Sequence, residues 1–366
     1  MSFRSALLGA ALLTGACAAS LPAPYQRARA AAERSYAAGR YDEAAAHWLD
    51  AAKAAARRYD REEARYRAAA AFRRARRDAQ AEAIYRELAA KSSGERSARA
   101  AFDLATLSIE RGELERGHEL LRQAILRHPG SGVARLALDR YLDFVRERGG
   151  SRAVLAWLDT AKKELGHSEL AEALGYQRAR ELEATEELVP ARDAYLESAR
   201  RFPYPRGAYW DDALFRASLI DERLGRYHEA IADLRRLLAE RESAHLQGSY
   251  QRPRYAPAQY RIAELYRDRL NDPAAARREF RRVFNEHETS VLRDDALWNE
   301  ALLAARAGDR RASCDALALL TRDLGESRYA PCAPALCPGL KAPEGRRCHA
   351  YIEQQLRESY SSSSSR

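Results

Sequence analysis

Four cysteines near the C-terminal end of the 366-residue chain could do chemistry: Cys314, Cys332, Cys337 and Cys348. An even number of cysteines is typical of disulfides in an exported protein, which the N-terminus described below predicts. We therefore predict two disulfides that stabilise a proline-rich segment with little core of its own. Three pairings are possible. We prefer Cys332–Cys337 with Cys314–Cys348, because the first pair would close a tight local loop.

A zinc site is the alternative use of these cysteines, with His349 as a further ligand. Structural zinc sites usually contain CxxC pairs, and this sequence has none. The sequence therefore predicts no metal and no cofactor.

Two pairs of adjacent acids, Asp211-Asp212 and Asp294-Asp295, could act as general acid and base. Each pair stands where a helix is predicted to begin, and a carboxylate there caps the helix and favours its dipole. We interpret both pairs as capping residues. The sequence has no HExxH motif, and no phosphate loop or GxSxG in a strand–turn–helix context. It predicts no catalytic residue and no enzyme.

The N-terminus resembles a bacterial lipoprotein signal. Arg4 supplies positive charge, residues 6–13 are apolar, and small residues run from Thr14 to Cys17. The resemblance implies that Cys17 is lipidated. No later apolar run approaches the roughly 20 residues that span a bilayer, so the lipid is the only membrane contact we expect.

Residues 1–16 are then the signal peptide and residues 17–24 a linker to the anchor. In signals of this kind Ala18, a second residue other than Asp, implies sorting to the outer membrane, with the protein facing the periplasm. The alternative is ordinary secretory cleavage after Ala16 or Ala19, which would give a soluble periplasmic protein.

The stretch from Asp211 to Glu240 shows the structural unit that positions the side chains of this chain. Apolar side chains recur with the helical period on both sides of Gly225, which tolerates the left-handed backbone that ends a helix. The residues are Ala213, Leu214, Ala217, Ile220 and Leu224, then Ala230, Ile231, Leu234, Leu237 and Leu238. Two amphipathic helices joined by a tight turn cannot bury these faces alone, so the hairpin needs neighbours.

The same break between two amphipathic helices recurs along the chain, mostly at intervals of 36 or 37 residues. We predict turns near Gly39, Arg76, Gly112, Gly149, Glu186, Gly225, Asn271 and Gly308. A fixed period of this length indicates an array of helical hairpins.

The hairpins resemble tetratricopeptide repeats, whose second helix follows the pattern G-x-Y-x-x-A. Small residues stand at the predicted helix crossing, and a bulky residue follows four positions later. The pairs are Ala44 and Trp48, Ala81 and Tyr85, Ala191 and Tyr195, Ala230 and Leu234, and Ala276 and Phe280. Gly117 and Ser313 depart from the pattern at the crossing, and Arg76 and Glu186 depart from it at the turn. The resemblance implies an all-α solenoid of about eight hairpins over residues 25–330, with an irregular helical solenoid as the alternative.

Two segments interrupt or follow the array. An insertion at residues 243–257 lacks a helical period, and we predict that Tyr250, Arg252, Arg254 and Tyr255 form a contact loop. A surface loop without a role is the alternative. Residues 331–358 form a Cys/Pro-rich cap with a terminal helix, and residues 359–366 a Ser-rich tail.

In the tetratricopeptide family the first helix of each hairpin, called here a first helix, lines a groove that binds a segment of a partner protein. The resemblance implies that this groove includes Phe102, Phe215, Glu222, Arg223, Arg261 and Trp298. Exposed aromatic residues and arginines make good interface anchors. The alternative is that Phe102, Phe215 and Trp298 are core between repeats.

The net charge of +9 is spread over helix faces where Arg alternates with Glu and Asp, which argues against nucleic-acid binding. We predict a noncatalytic scaffold that holds other envelope proteins and supports assembly of an envelope complex. The alternative is an accessory or glycan-binding solenoid that resembles the superhelical part of lytic transglycosylases. The sequence does not indicate an oligomeric state.

Overall fold

The computed structural model describes residues 21–91, 94–240 and 253–361. Regular structure in these residues is entirely helical. The first nine helices are α1 (Ala23–Ala37), α2 (Tyr41–Ala54), α3 (Arg58–Arg74), α4 (Asp78–Lys91), α5 (Glu95–Glu110), α6 (Leu114–Arg127), α7 (Ala134–Leu165), α8 (Ala171–Ala184) and α9 (Leu188–Arg201). The others are α10 (Trp210–Arg223), α11 (Tyr227–Ala239), α12 (Tyr255–Asp268), α13 (Pro273–Glu286), α14 (Arg293–Arg306), α15 (Arg310–Asp323), α16 (Ala333–Leu336) and α17 (Ala350–Ser361). Among the described helices, none combines the length and apolar character that crossing a membrane requires.

The chain divides into two compact units. Unit 1 runs to Arg148 and includes Ser168–Leu170, and unit 2 holds Gly149–His167 and the chain from Ala171 onward. The border falls inside α7, which is interrupted at Gly150 (φ 68°).

Within each unit, successive helices pack against one another in chain order. This holds from α1 to α6 in unit 1 and from α8 to α15 in unit 2. Consecutive packing of antiparallel helix pairs is the arrangement of an α-solenoid. The predicted all-α solenoid of helical hairpins is confirmed.

The predicted turns are confirmed by the backbone. Seven of the eight predicted residues have positive φ, and at the eighth position the left-handed residue is Gly150 rather than Gly149. Three of them are not glycine: Arg76 (φ 61°), Glu186 (φ 62°) and Asn271 (φ 48°). At most of these turns two backbone N–H groups bond back to carbonyls of the preceding helix, as Gly225 does to Glu222 and Arg226 to Asp221. This Schellman pattern satisfies carbonyls at the helix end, and the geometry of the turn therefore outweighs the cost of a side chain there.

The helix crossings are as tight as the repeat pattern predicts. All five crossing alanines are fully buried, and the bulky residues four positions later are buried as well. Gly117 replaces alanine at one crossing because a Cβ there would overlap the side chain of Ile109. The bulkier facing residue explains this departure from the pattern.

The cap is held by two disulfides, Cys314–Cys337 and Cys332–Cys348. The preferred pairing was wrong, because packing of α16 on α15 brings Cys337 to Cys314. All four cysteines are oxidised, so no thiolate remains for the alternative zinc site. Arg346 strengthens the cap by donating to the carbonyls of Gly325, Glu326 and Ser327 at 2.8–3.0 Å.

Candidate partner-binding clefts

Tyrosine–aspartate hydrogen bonds link successive first helices within each unit. In unit 1, Tyr66 on α3 donates to Asp103 on α5 at 2.7 Å. In unit 2, Tyr176 on α8 donates to Asp212 on α10, and Tyr329, between α15 and the cap, donates to Asp295 on α14 at 2.6 Å. Each bond spans about one repeat of sequence, so these pairs hold the register between neighbouring hairpins.

The acid pairs lie at the helix starts, as predicted, but they do not occupy the N-cap positions. The N-cap residues of α10 and α14 are Tyr209 and Leu292, so the acids lie inside the first turn, where their charge favours the helix dipole without capping the helix. Asp212 instead accepts from Arg216 at 2.8 Å and from Arg254 at 2.6 Å, in addition to Tyr176. The partners of this carboxylate are thus side chains of α10 itself, of α8 and of the residue before α12.

Three residues predicted to contact a partner lie in the core. Phe102, Tyr255 and Trp298 are 9%, 4% and 3% exposed. Trp298 stacks on Tyr329 with ring centroids 4.9 Å apart, and Tyr255, the first residue of α12, donates to the carbonyl of Glu240. This burial favours the alternative of inter-repeat core for Phe102 and Trp298, and partner binding by the three residues stays a prediction.

The other predicted contact residues are engaged with one another. Phe215 is half-buried beneath Arg254, whose guanidinium carbon lies 5.0 Å from the ring centroid. Arg261 donates to Glu222 at 2.8 Å, and Arg223 pairs with Glu186. A partner would have to displace or share these contacts, and partner binding by Phe215, Glu222, Arg223 and Arg261 stays a prediction.

Tyr250, Arg252 and Cys17 lie outside the described residues. Their predicted roles in partner contact and lipidation therefore stay predictions.

A cleft of about 520 Å³ lies in unit 1, between α1 and α3 and above α2. Its lining includes Tyr36 from α1, Arg67 from α3 and Arg96 and Arg99 from α5. Arg67 and Arg99 are about half exposed, at 49% and 46% of their side-chain surface, and Tyr36 is 37% exposed. We call this the first cleft.

The arginines of the first cleft are oriented by carboxylates and aromatic rings. Arg67 bonds to Glu63 at 2.6 Å and lies over the ring of Trp48, 5.2 Å from its centroid. Arg99 bonds to Glu95 at 2.8 Å. Such contacts limit side-chain motion while leaving part of each guanidinium in solvent, which reduces the entropy lost on binding.

A second cleft of about 360 Å³ lies between α5 and α7, above α6. Its floor is the stacked pair His118 and Phe144, with ring centroids 3.7 Å apart. Glu110, Asp143 and Glu147 line its rim. We call this the second cleft.

Burial shifts the pKa values of Tyr66, which lines the first cleft, and of its partner Asp103. Loss of solvent raises the pKa of Tyr66, and the nearby Asp103 carboxylate raises it further. Burial likewise raises the pKa of Asp103, although the hydrogen bond from Tyr66 and the charge of Arg73 oppose the shift. Tyr66 stays protonated at neutral pH and donates steadily to its partner.

A family profile described as tetratricopeptide repeat matches residues 212–241 and 257–290. These two segments are tetratricopeptide repeats. They cover α10–α11 and α12–α13 in unit 2, where the alanines at the helix crossings and the buried bulky residues four positions later follow the pattern. No curated protein matches the chain.

Solved structures of tetratricopeptide proteins are similar at low identity. The C-terminal part of a repeat-containing protein from Cytophaga hutchinsonii is 12% identical with a TM-score of 0.43, over 74% of this chain and 98% of that one. A tetratricopeptide repeat protein from Parabacteroides merdae is 12% identical with a TM-score of 0.33, over 76% and 98%. The TPR2AB domain of yeast Sti1, in a complex with pHSP90, is 14% identical with a TM-score of 0.27, over 80% and 98%.

Sequence reasoning missed both clefts. The signal that could have found them is position relative to the turn. Tyr36 stands three residues before Gly39, and Ile109 stands three before Gly112. Examining that position in every repeat would have separated these surface residues from the buried Phe102.

Proposed function

We propose that the protein is a noncatalytic scaffold that binds segments of partner proteins on the first helices of its repeats. The observation that carries this proposal is the first cleft. It presents Tyr36, Arg67 and Arg99 half-exposed on a rigid helical surface. Tyrosine and arginine are among the residues that dominate binding energy at protein interfaces.

We further propose that the protein is exported and anchored at the outer membrane through lipid on Cys17, where it faces the periplasm and supports assembly of an envelope complex. The small-residue pattern before Cys17 supports export. The two disulfides of the cap also support it, because structural disulfides persist in oxidising compartments.

Crosslinking in envelope fractions tests the scaffold proposal. The full chain is compared with a variant carrying Tyr36→Ala and Arg67→Gln, and with Arg74→Gln as the matched control. Arg74 is exposed on the same helix as Arg67 and outside the cleft. We expect partner proteins that the control retains and the cleft variant loses. Equal recovery by all three proteins would exclude the first cleft. Recovery of no partner, together with retention on a purified envelope glycan, would favour the glycan-binding alternative.

Mass spectrometry of the mature N-terminus tests the anchor. We expect a diacylglyceryl group on Cys17, and we expect Cys17→Ser to release the protein from membranes. A mature chain that begins with unmodified Ala18 or Ser20 would contradict lipidation without affecting the scaffold proposal.

A further inference from the structure

The two clefts of unit 1 occupy equivalent places in the repeat. The first cleft takes Glu33 and Tyr36 from α1, six and three residues before the turn at Gly39. The second takes Thr106 and Ile109 from α5, six and three residues before the turn at Gly112. Each cleft is completed by the next first helix, α3 or α7, and the first cleft also reaches Arg96 and Arg99 on α5. The clefts therefore lie on one face of unit 1, two repeats apart.

The clefts differ in charge. The charged lining of the first consists of three arginines and two glutamates: Arg67, Arg96, Arg99, Glu33 and Glu63. Both Arg67 and Arg96 pair with Glu63, so one carboxylate serves two cations. The lining of the first cleft thus has one more arginine than acid, although Arg99 is also paired with Glu95 outside the lining.

The second cleft has the opposite balance. Its charged lining is Arg140 with three acids, Glu110, Asp143 and Glu147. The guanidinium of Arg140 is turned to Thr106, to which it donates at 3.1 Å, and to the ring of Phe102. Glu110 is already paired with Arg73, so Asp143 and Glu147 are the rim acids that suit a cationic side chain, whose charge meets carboxylates and whose stem lies along the apolar lining.

Two arginines of α7 already show that this site accepts cations. Arg146 donates to Asp143 at 2.6 Å, and Arg148 lies over the ring of Phe144, 4.8 Å from its centroid. Asp143 nevertheless keeps 67% of its side chain exposed, and a carboxylate offers about four acceptor sites. A cation from a partner would thus bind at Asp143 and Glu147 rather than on the ring, whose faces His118 and Arg148 occupy.

Internal contacts connect the two clefts, since Tyr66 lines the first and Glu110 lines the second. Tyr66 bonds to Asp103, and Arg73 bonds to Glu110 at 2.8 Å, so α3 and α5 are bridged. A bound segment would cross this bridge to reach both clefts. Neighbouring packed helices lie about 10 Å apart, which puts the clefts roughly 20 Å apart. An extended chain covers about 3.3 Å per residue, so roughly six residues separate the two contacts.

We propose that unit 1 recognises a segment of a partner protein that carries an acidic group and a basic group about six residues apart when extended. The acidic group binds between Arg67 and Arg99, and the basic group binds at Asp143 and Glu147. This inference rests on the proposed scaffold function and adds the chemistry of the partner. Charges of both signs fix the register of the segment, which a groove of one sign would leave free to slide.

Selection from a displayed library of random peptides tests the inference with the full chain. Peptides of roughly 16 residues are long enough to cross both clefts at about 3.3 Å per residue. We expect enrichment of sequences with an acidic and a basic cluster about six residues apart. Synthetic versions of enriched peptides are then measured against variants neutralised in the first cleft (Arg67→Gln with Arg99→Gln) or in the second (Asp143→Asn with Glu147→Gln).

Each neutralised cleft should weaken binding by about tenfold or more, and replacing only the matching cluster of the peptide by alanine should remove that difference. Arg74→Gln and Asp50→Asn serve as controls on exposed positions outside the clefts, and thermal unfolding shows that all variants fold. Enriched peptides without paired clusters, or peptides insensitive to one cleft, would overturn the inference and leave the scaffold proposal standing. Absence of any enriched peptide would count against both.

Discussion

The first helices of the two units use their charged side chains differently. In unit 1, α1, α3 and α5 carry eleven arginines and seven acids, and two of these arginines, Arg67 and Arg99, are about half exposed at the first cleft. In unit 2, α8, α10, α12 and α14 carry twelve acids and eight arginines. There Asp212 alone accepts from Tyr176, Arg216 and Arg254.

The tetratricopeptide profile matches unit 2, whereas both clefts described above belong to unit 1. The pattern that identifies the repeat consists of the small residues at the helix crossings and the bulky residues four positions later, which build the core. Residues available to a partner lie elsewhere on the same helices. The match to the repeat pattern therefore locates the repeat core rather than the two clefts of unit 1.

The cap of unit 2 should give the largest effect. We expect Cys332→Ser with Cys348→Ser to lower the free energy of unfolding by about 3 kcal/mol. The disulfide joins residues 16 apart in sequence, and closing a loop of about that length restricts the unfolded chain by this amount. Urea unfolding followed by Trp fluorescence measures it, since Trp298 packs in the cap cluster. If the same variant also bound ligands of unit 1 more weakly, the cap would affect both units.

The different roles of charged side chains in the two units can be compared by substituting Asp212 in unit 2 and Arg99 in unit 1. We expect Asp212→Asn to cost about 2 kcal/mol, because it leaves two arginines without their carboxylate in a half-buried site. Arg99→Gln in unit 1 should cost less than about 0.5 kcal/mol, since its ion pair with Glu95 is exposed. Chemical unfolding of both variants gives the comparison, and equal costs would remove the distinction between the units.

The turns should behave alike in both units. Gly112 and Gly225 have φ of 82° and 74°, and a Cβ at either would meet no neighbouring atom. Alanine at either position should therefore cost about 1 kcal/mol through the backbone alone. Arg76→Gly should move stability the other way, by up to about 1 kcal/mol, reduced by the greater freedom of glycine in the unfolded chain. Thermal unfolding of the three variants tests this, and unequal costs for the two glycines would mean that the units differ at their turns too.

We also expect a pH dependence of stability in unit 2. Burial raises the pKa of Asp233 to about 6, with Arg192 opposing the shift and Asp221 adding to it. The folded state then binds more protons than the unfolded state between about pH 4 and pH 6, so this residue lowers stability as pH rises through that window. Since the side chain is only half-buried, we expect about 1 kcal/mol. Asp233→Asn should flatten that part of the stability–pH curve, and an unchanged curve would contradict the assignment.

Much of the fold could be predicted because hairpins are specified locally. The apolar period of residues 211–240, the turn at Gly225 and the crossing residue Ala230 all act within about one repeat. Even the turns without glycine were found, because the constant spacing marks Arg76 and Glu186 when their residue types do not.

The candidate site was harder to predict because exposure depends on neighbouring helices. Phe102 and Tyr36 both lie on first helices, yet Phe102 is packed beneath Arg140 and Tyr36 borders the first cleft. Sequence spacing places both near a groove and does not tell which one the next helix covers.

The sequence by itself determined the helical hairpins, their turns and their crossings, since these follow from periodicity, backbone conformation and side-chain size within about 37 residues. Tertiary structure alone decided the pairing of Cys314 with Cys337, the partners of Asp212 and Asp295, and the two clefts of opposite charge. The physical reason is distance along the chain. Side chains that meet across packed helices come from different repeats, and the angle and stagger of those helices select which of several suitable partners each one reaches.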